Sequence, residues 1–118
     1  MRSIFAIAVA AIVIWTSPVW AEESNQYAVA GAGTISCGKY LDDERNQNDP
    51  LVMLSVSWVQ GFLSGENMTW TVAAKKPMVI LPDYQTIRAY EDKYCKDHPL
   101  DSPLDGAIAL FNDLRARQ

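Results

Sequence analysis

This sequence contains one histidine and two cysteines, and that scarcity removes most metal and nucleophile chemistry at the outset. A structural zinc site takes about four N or S ligands at short spacing, whereas Cys37 and Cys95 stand 58 residues apart with no cluster around them. The single histidine, His98, lies beside Pro99 at a predicted helix end, where a cationic ring complements the helix dipole. No serine is accompanied by a base at a defined spacing, and no glycine-rich phosphate loop occurs. Asp42, Asp43 and Glu44 are consecutive, so on a helix they point in different directions and read as a solvated face rather than as paired acids. No catalytic residue, metal ligand or cofactor is expected, and the sequence reads as a non-enzyme.

Basic residues are also in short supply: 10 Lys and Arg against 14 Asp and Glu give a formal net charge of −4. That balance excludes a general nucleic-acid binder, whose phosphate contacts need a basic patch. Long apolar runs are confined to the start. Arg2 precedes the apolar stretch Ile4–Trp15, and Val19-Trp20-Ala21 ends in a small residue, the pattern of a signal peptide over residues 1–21 that directs the chain to the periplasm. The competing reading is a retained anchor, since Ile4–Val19 is nearly long enough to span a bilayer, although Thr16, Ser17 and Pro18 weaken its end. Cys37 lies too far beyond the run to carry a lipid anchor. Cleavage leaves a soluble protein with no membrane contact, and loss of Arg2 lowers the net charge by one.

Residues 22–33 are polar and then Ala/Gly-rich without a burying period, so a flexible tail is expected before a single domain over 34–118. In an oxidising compartment two cysteines permit one intramolecular pairing, Cys37 with Cys95. Helical spacing predicts a short first helix from Ser36 to about Arg45. Asp49-Pro50 supplies a helix start for a second helix over Leu51 to about Thr69. Its apolar positions fall on two faces, Leu51, Leu54, Trp58 and Phe62 on one and Val52, Val56, Val59 and Leu63 on the other, which marks it as the central helix. Gly61 and Gly65 flank the Trp58/Phe62 face one turn apart, where missing side chains admit another backbone. Asn67-Met68-Thr69 matches the glycosylation acceptor pattern, a short motif that chance supplies often.

A loop is expected from Thr71 to Pro82, containing the apolar run Met78, Val79, Ile80 and Leu81. Four such residues between prolines either cover the core or contact a partner or a second copy. Asp83 caps a third helix to about Asp97, with Tyr84, Ile87, Tyr90, Tyr94 and Cys95 on one face. Glu91 falls inside that stripe. Three readings are open for it: burial with a raised pKa, pairing with a lysine, or escape to solvent at the stripe's edge. Ser102 and Pro103 open a last helix that buries Leu104, Ala107, Ile108, Phe111 and Leu114. The expected fold is all-α: a compact bundle of about four helices around a long central one, with one disulfide, behind a signal peptide.

Three strings give this layout a likeness: Cys37-Gly38-x-Tyr40-Leu41, then Trp58-Val59-Gln60-Gly61-Phe62-Leu63-Ser64-Gly65-x-Asn67, then Tyr94-Cys95-x-x-His98-Pro99-Leu100. Over Thr34–Leu114 the chain resembles the HdeA/HdeB-like small periplasmic proteins and their uncharacterised proteobacterial relatives. The Trp58–Asn67 string lies outside the HdeA pattern itself and points to a neighbouring group. More distantly the layout is similar to Tai-type immunity proteins, which inhibit secreted effectors in the periplasm. The first resemblance implies a disulfide between Cys37 and Cys95 and an acid- or stress-responsive chaperone that binds unfolded clients. In that case protonation of carboxylates, Glu91 among them, would loosen the core. The second implies a folded surface that binds one protein partner.

Overall fold

The structure, a computed structural model, describes residues 29–118. The expected signal segment and most of the expected tail lie outside the described residues. The described chain is all-helical: a 3₁₀ turn at Ala32–Thr34, then α1 (Cys37–Arg45), α2 (Asp49–Ala74), α3 (Tyr84–Asp97) and α4 (Pro103–Ala116). Three starts carry side-chain caps, whereas α2 begins at Asp49 behind an uncapped Asn48, with Pro50 in its first turn. Ser36 accepts from Lys39 N–H, Asp83 from Thr86 N–H, and Ser102 with Asp105 forms a reciprocal capping box ahead of Pro103.

Helix α2 runs a turn further than its sequence pattern suggests. Trp70 packs against the core, and nothing breaks the helix until Lys75 adopts a left-handed conformation, φ 53°, two residues before Pro77. One face of α2 is buried, through Val52, Val56, Val59 and Leu63; they meet Cys37 and Tyr40 of α1, Ile87 and Cys95 of α3, and Ala107, Leu110 and Phe111 of α4. Each of the Val, Leu, Ile and Phe side chains among them contributes about 1.5–3 kcal/mol on burial. The two-faced reading of α2 is corrected: Leu51 and Leu54 are exposed, and Trp58 and Phe62 are half-buried and stacked on each other, centroids 5.6 Å apart. Four helices leave a central helix one outer side. In α4 the buried arc is turned from the expected one, taking Leu110 in place of Ile108, which is exposed.

The expected boundary at Thr34 also moves. Ala30–Gly33 crosses α2, where Ala30 C=O accepts from Trp58 Nε1 at 3.1 Å and Ala32 C=O accepts from Ser55 Oγ at 3.2 Å. A side chain at Gly31 or Gly33 would overlap the Trp58 ring, and Gly31 has φ 121°, so both glycines are required for this close approach.

The segment between α2 and α3 is held by one side chain. Asn67 accepts from Val79 N–H through Oδ1 and donates to Val79 C=O through Nδ2, both at 2.8 Å. A carboxamide thereby imitates a strand neighbour. Val79 is buried and Leu81 packs on the core, while Met78 and Ile80 project outward, the alternation of extended backbone. Cover and exposure thus share the run. Asn67 is buried with both amide atoms engaged, so the glycosylation pattern it opens is not accessible in the fold. Asn67→Ala is expected to cost about 2–4 kcal/mol, because two buried backbone groups lose their partners. An unchanged urea midpoint would show that the segment is held by other means.

Candidate functional site

The Cys37–Cys95 disulfide joins α1 to α3, Cα atoms 4.9 Å apart and both residues fully buried. Around it, Asp101 carries two links: its carbonyl accepts from Cys37 N–H at 2.8 Å and its carboxylate from Tyr94 Oη at 2.7 Å. Burial, then that hydrogen bond, pushes the Tyr94 hydroxyl up to about 12. His98 closes α3 with its ring stacked on Tyr94, centroids 4.4 Å apart, and Nδ1 3.2 Å from Tyr94 C=O.

One turn before Cys95 lies Glu91, with no exposed surface and with neither carboxylate oxygen hydrogen-bonded. Burial alone raises its pKa to about 8. Helix α4 comes so close that a Cβ at Gly106 would overlap the carboxylate. Of the three readings of Glu91 the structure has the first, burial, with no hydrogen-bond partner for the carboxylate among the described residues. The consequence reverses the expectation that protonating Glu91 loosens the core. A group whose folded pKa is raised contributes stability that is complete below its unfolded value, 4.5, and is lost as pH rises through about 8. Acid therefore favours the folded state at this position.

Acid-labile contacts lie elsewhere. Arg88 of α3 donates from Nε and Nη2 to the Glu44 carboxylate of α1 at 2.8 and 2.9 Å, and this hydrogen bonding holds Glu44 below its ordinary value. Asp43, expected on a solvated face, is buried and paired with Lys39. A cleft of about 600 Å³ opens between α1 and α3 beside Arg88. Its charges are mutually neutralised, Arg88 by Glu44, Arg45 by Asp42 and Lys96 by Asp92, which leaves no free charge of one sign to select a ligand.

The remaining feature is the outer side of α2. Asp49 and Glu66 are the helix's only charged residues. Between them and beyond, Met53, Leu54, Met68 and Val72 are more than half exposed, with Ser57, Gly61, Ser64 and Gly65 also open. Among the described residues no backbone approaches Gly61 or Gly65, contrary to the sequence reading: a Cβ at either would meet nothing within 4 Å. The two glycines face outward. Of the residues singled out in the sequence, the structure brings Cys37, Cys95, Glu91 and Tyr94 into one region. Trp58 lies against the N-terminal segment instead, with Phe62 stacked on it. Missed were the Asn67 hook, the Glu44–Arg88 link and the fit of Gly106 to Glu91. For the last, a glycine inside a helix was the available signal.

Comparison with protein families, curated proteins and solved structures finds no match to this chain. No helix among the described residues is long and apolar enough to cross a membrane.

Proposed function

We propose that this chain is a periplasmic protein-binding protein of HdeA-like type, with the outer side of α2 as its docking surface. The observation that carries the reading is that uncharged face, which exposes Met53, Leu54, Met68 and Val72 on the longest helix of an otherwise acidic protein. Exposed apolar side chains at both ends of an uncharged face, with small residues between them, support an interaction site there. The disulfide supports an oxidising compartment. Unfolded clients suit a surface made of flexible Met and Leu side chains, which adapt to varied partners.

A second reading, an immunity-type inhibitor of a secreted effector, is favoured by Glu91. A core that gains stability on acidification suits a recognition surface that stays folded. Client protection tests the first reading. The exported, oxidised protein is expected to suppress aggregation of an unfolded client at about pH 2 or pH 7, and Leu54→Glu with Met68→Glu to abolish that protection without loss of helix content. Absence of protection at both pH values would reject the chaperone reading in favour of the second.

A further inference from the structure

We propose that residues 78–80, between α2 and α3, form an edge at which an extended, acidic peptide segment of a partner protein adds as a strand. The proposal stands apart from the outer face of α2 and uses different groups. In an extended chain the N–H and C=O groups of successive residues point to opposite sides. Val79 directs both of its groups to Asn67 at 2.8 Å, so those of Met78 and Ile80 are turned the other way. Among the described residues none of those four groups has a hydrogen-bond partner, and Met78 and Ile80 are 56% and 87% exposed. The result is a strand edge without a sheet.

The flanking prolines agree with this placement. By the same alternation the missing N–H of Pro77 falls on the Asn67 side and leaves the outer edge intact, while that of Pro82 falls on the outer side and ends the edge. Asn67 fixes the run before anything docks, so less ordering entropy is lost on binding. An antiparallel segment gains four main-chain hydrogen bonds, two with Ile80 and two with Met78. Its residues opposite those two share their exposed face, where apolar side chains pair with Ile80 and Met78.

Charge fixes the rest of the partner's chemistry. Lys39, Lys93 and Lys96 are each paired with an aspartate, Asp43, Asp97 and Asp92 respectively. Lys75 and Lys76 are the lysines with no carboxylate partner among the described residues, and both are exposed in a chain of net charge −4. They stand just ahead of the edge, so in an antiparallel partner they face the residues that follow its apolar pair. The segment that fits is extended, with apolar residues at alternate positions and two carboxylates after them.

The probe is a fluorescein-labelled peptide of sequence Thr-Val-Thr-Val-Thr-Glu-Glu with blocked ends, titrated with the exported, oxidised protein. Its anisotropy is expected to saturate with a dissociation constant of roughly 0.1 mM. Amide exchange at Ile80 should slow by about 10-fold or more on binding, while that at Val79, already held by Asn67, stays as it was. Methylating the two valine nitrogens removes the donors aimed at Ile80 and Met78 and should abolish binding. Lys75→Glu with Lys76→Glu, both at exposed positions, should keep the circular dichroism unchanged and weaken binding by about 10-fold, and a peptide ending in Lys-Lys should recover it on that variant. No saturation up to about 1 mM would overturn the proposal, as would equal binding of the methylated peptide or an absence of recovery on charge exchange. Phosphatidylglycerol vesicles form the last arm. Binding to them that is lost in the Lys75→Glu, Lys76→Glu variant, with no saturation by the peptide, would overturn the peptide assignment in favour of a lipid surface.

Discussion

Glu91→Gln is expected to flatten the stability of the protein between pH 4.5 and about 8 and to leave the variant more stable than the wild type at pH 9. The wild type loses about 1.4 kcal/mol for each pH unit in that window, because the unfolded chain releases the Glu91 proton near 4.5 while the folded one holds it to about 8. The sign follows from proton binding: the folded state carries the extra proton, so raising the pH favours unfolding. The amide is uncharged at every pH and has nearly the same shape, so it removes the slope without opening a cavity. The slope is read from urea midpoints at pH 5, 7 and 9. Parallel pH profiles for the two proteins would show that Glu91 is hydrated or paired in solution.

At the acid end the opposite sign applies to Glu44. Its folded pKa is held below the ordinary value by Arg88, so its contribution is present above about 4.5 and is lost as pH falls through the lowered value. The two carboxylates therefore bracket a stability maximum in the mildly acidic range. Acid expansion starts at the α1–α3 ion pair and from the repulsion of unneutralised Lys and Arg, while Glu91, already neutral in the folded state, adds no further change below 4.5.

The second large effect concerns the disulfide. Substituting both Cys37 and Cys95 with alanine is expected to cost about 4 kcal/mol, the loop-closure entropy released on cutting a cross-link between residues 58 apart. For a domain of this size that is a large share of the total. Helix α1 has nine residues and is too short to persist alone. Without the sulfur link it is held by burial of Tyr40, by the Cys37–Asp101 backbone bond and by the Glu44–Arg88 pair. Amide exchange in α1 is thus expected to rise more than in α4. Equal loss of protection in both helices would show that α1 unfolds only with the whole.

Which of these features can be read from the chain alone follows a physical division. The caps at Ser36, Asp83 and Ser102 and the helices they open are local, because a cap and its target N–H lie three residues apart. The disulfide is legible by counting, since two thiols have one pairing. Periodicity also places Glu91 among apolar neighbours, but not its fate: only the approach of Gly106 from α4 closes the carboxylate off. The outer face of α2 was misjudged for a related reason. Hydrophobic residues around most of a helix imply burial only when enough neighbours exist to surround it, and four helices with two short connections do not suffice. Asn67 holding Val79 is illegible for want of any pattern, since a carboxamide 12 residues from its backbone partner leaves no period.

The hold of Trp58 on Ala30 makes the fold sensitive to any cut that falls just ahead of α1. A peptidase acting upstream of Val29 leaves the carbonyl that the indole grips, whereas trimming beyond Ala30 removes it and bares the aromatic stack beneath. Tryptophan emission, to which Trp58 and Trp70 both contribute, would shift to the red on that loss, so its colour reports whether the chain still reaches Ala30.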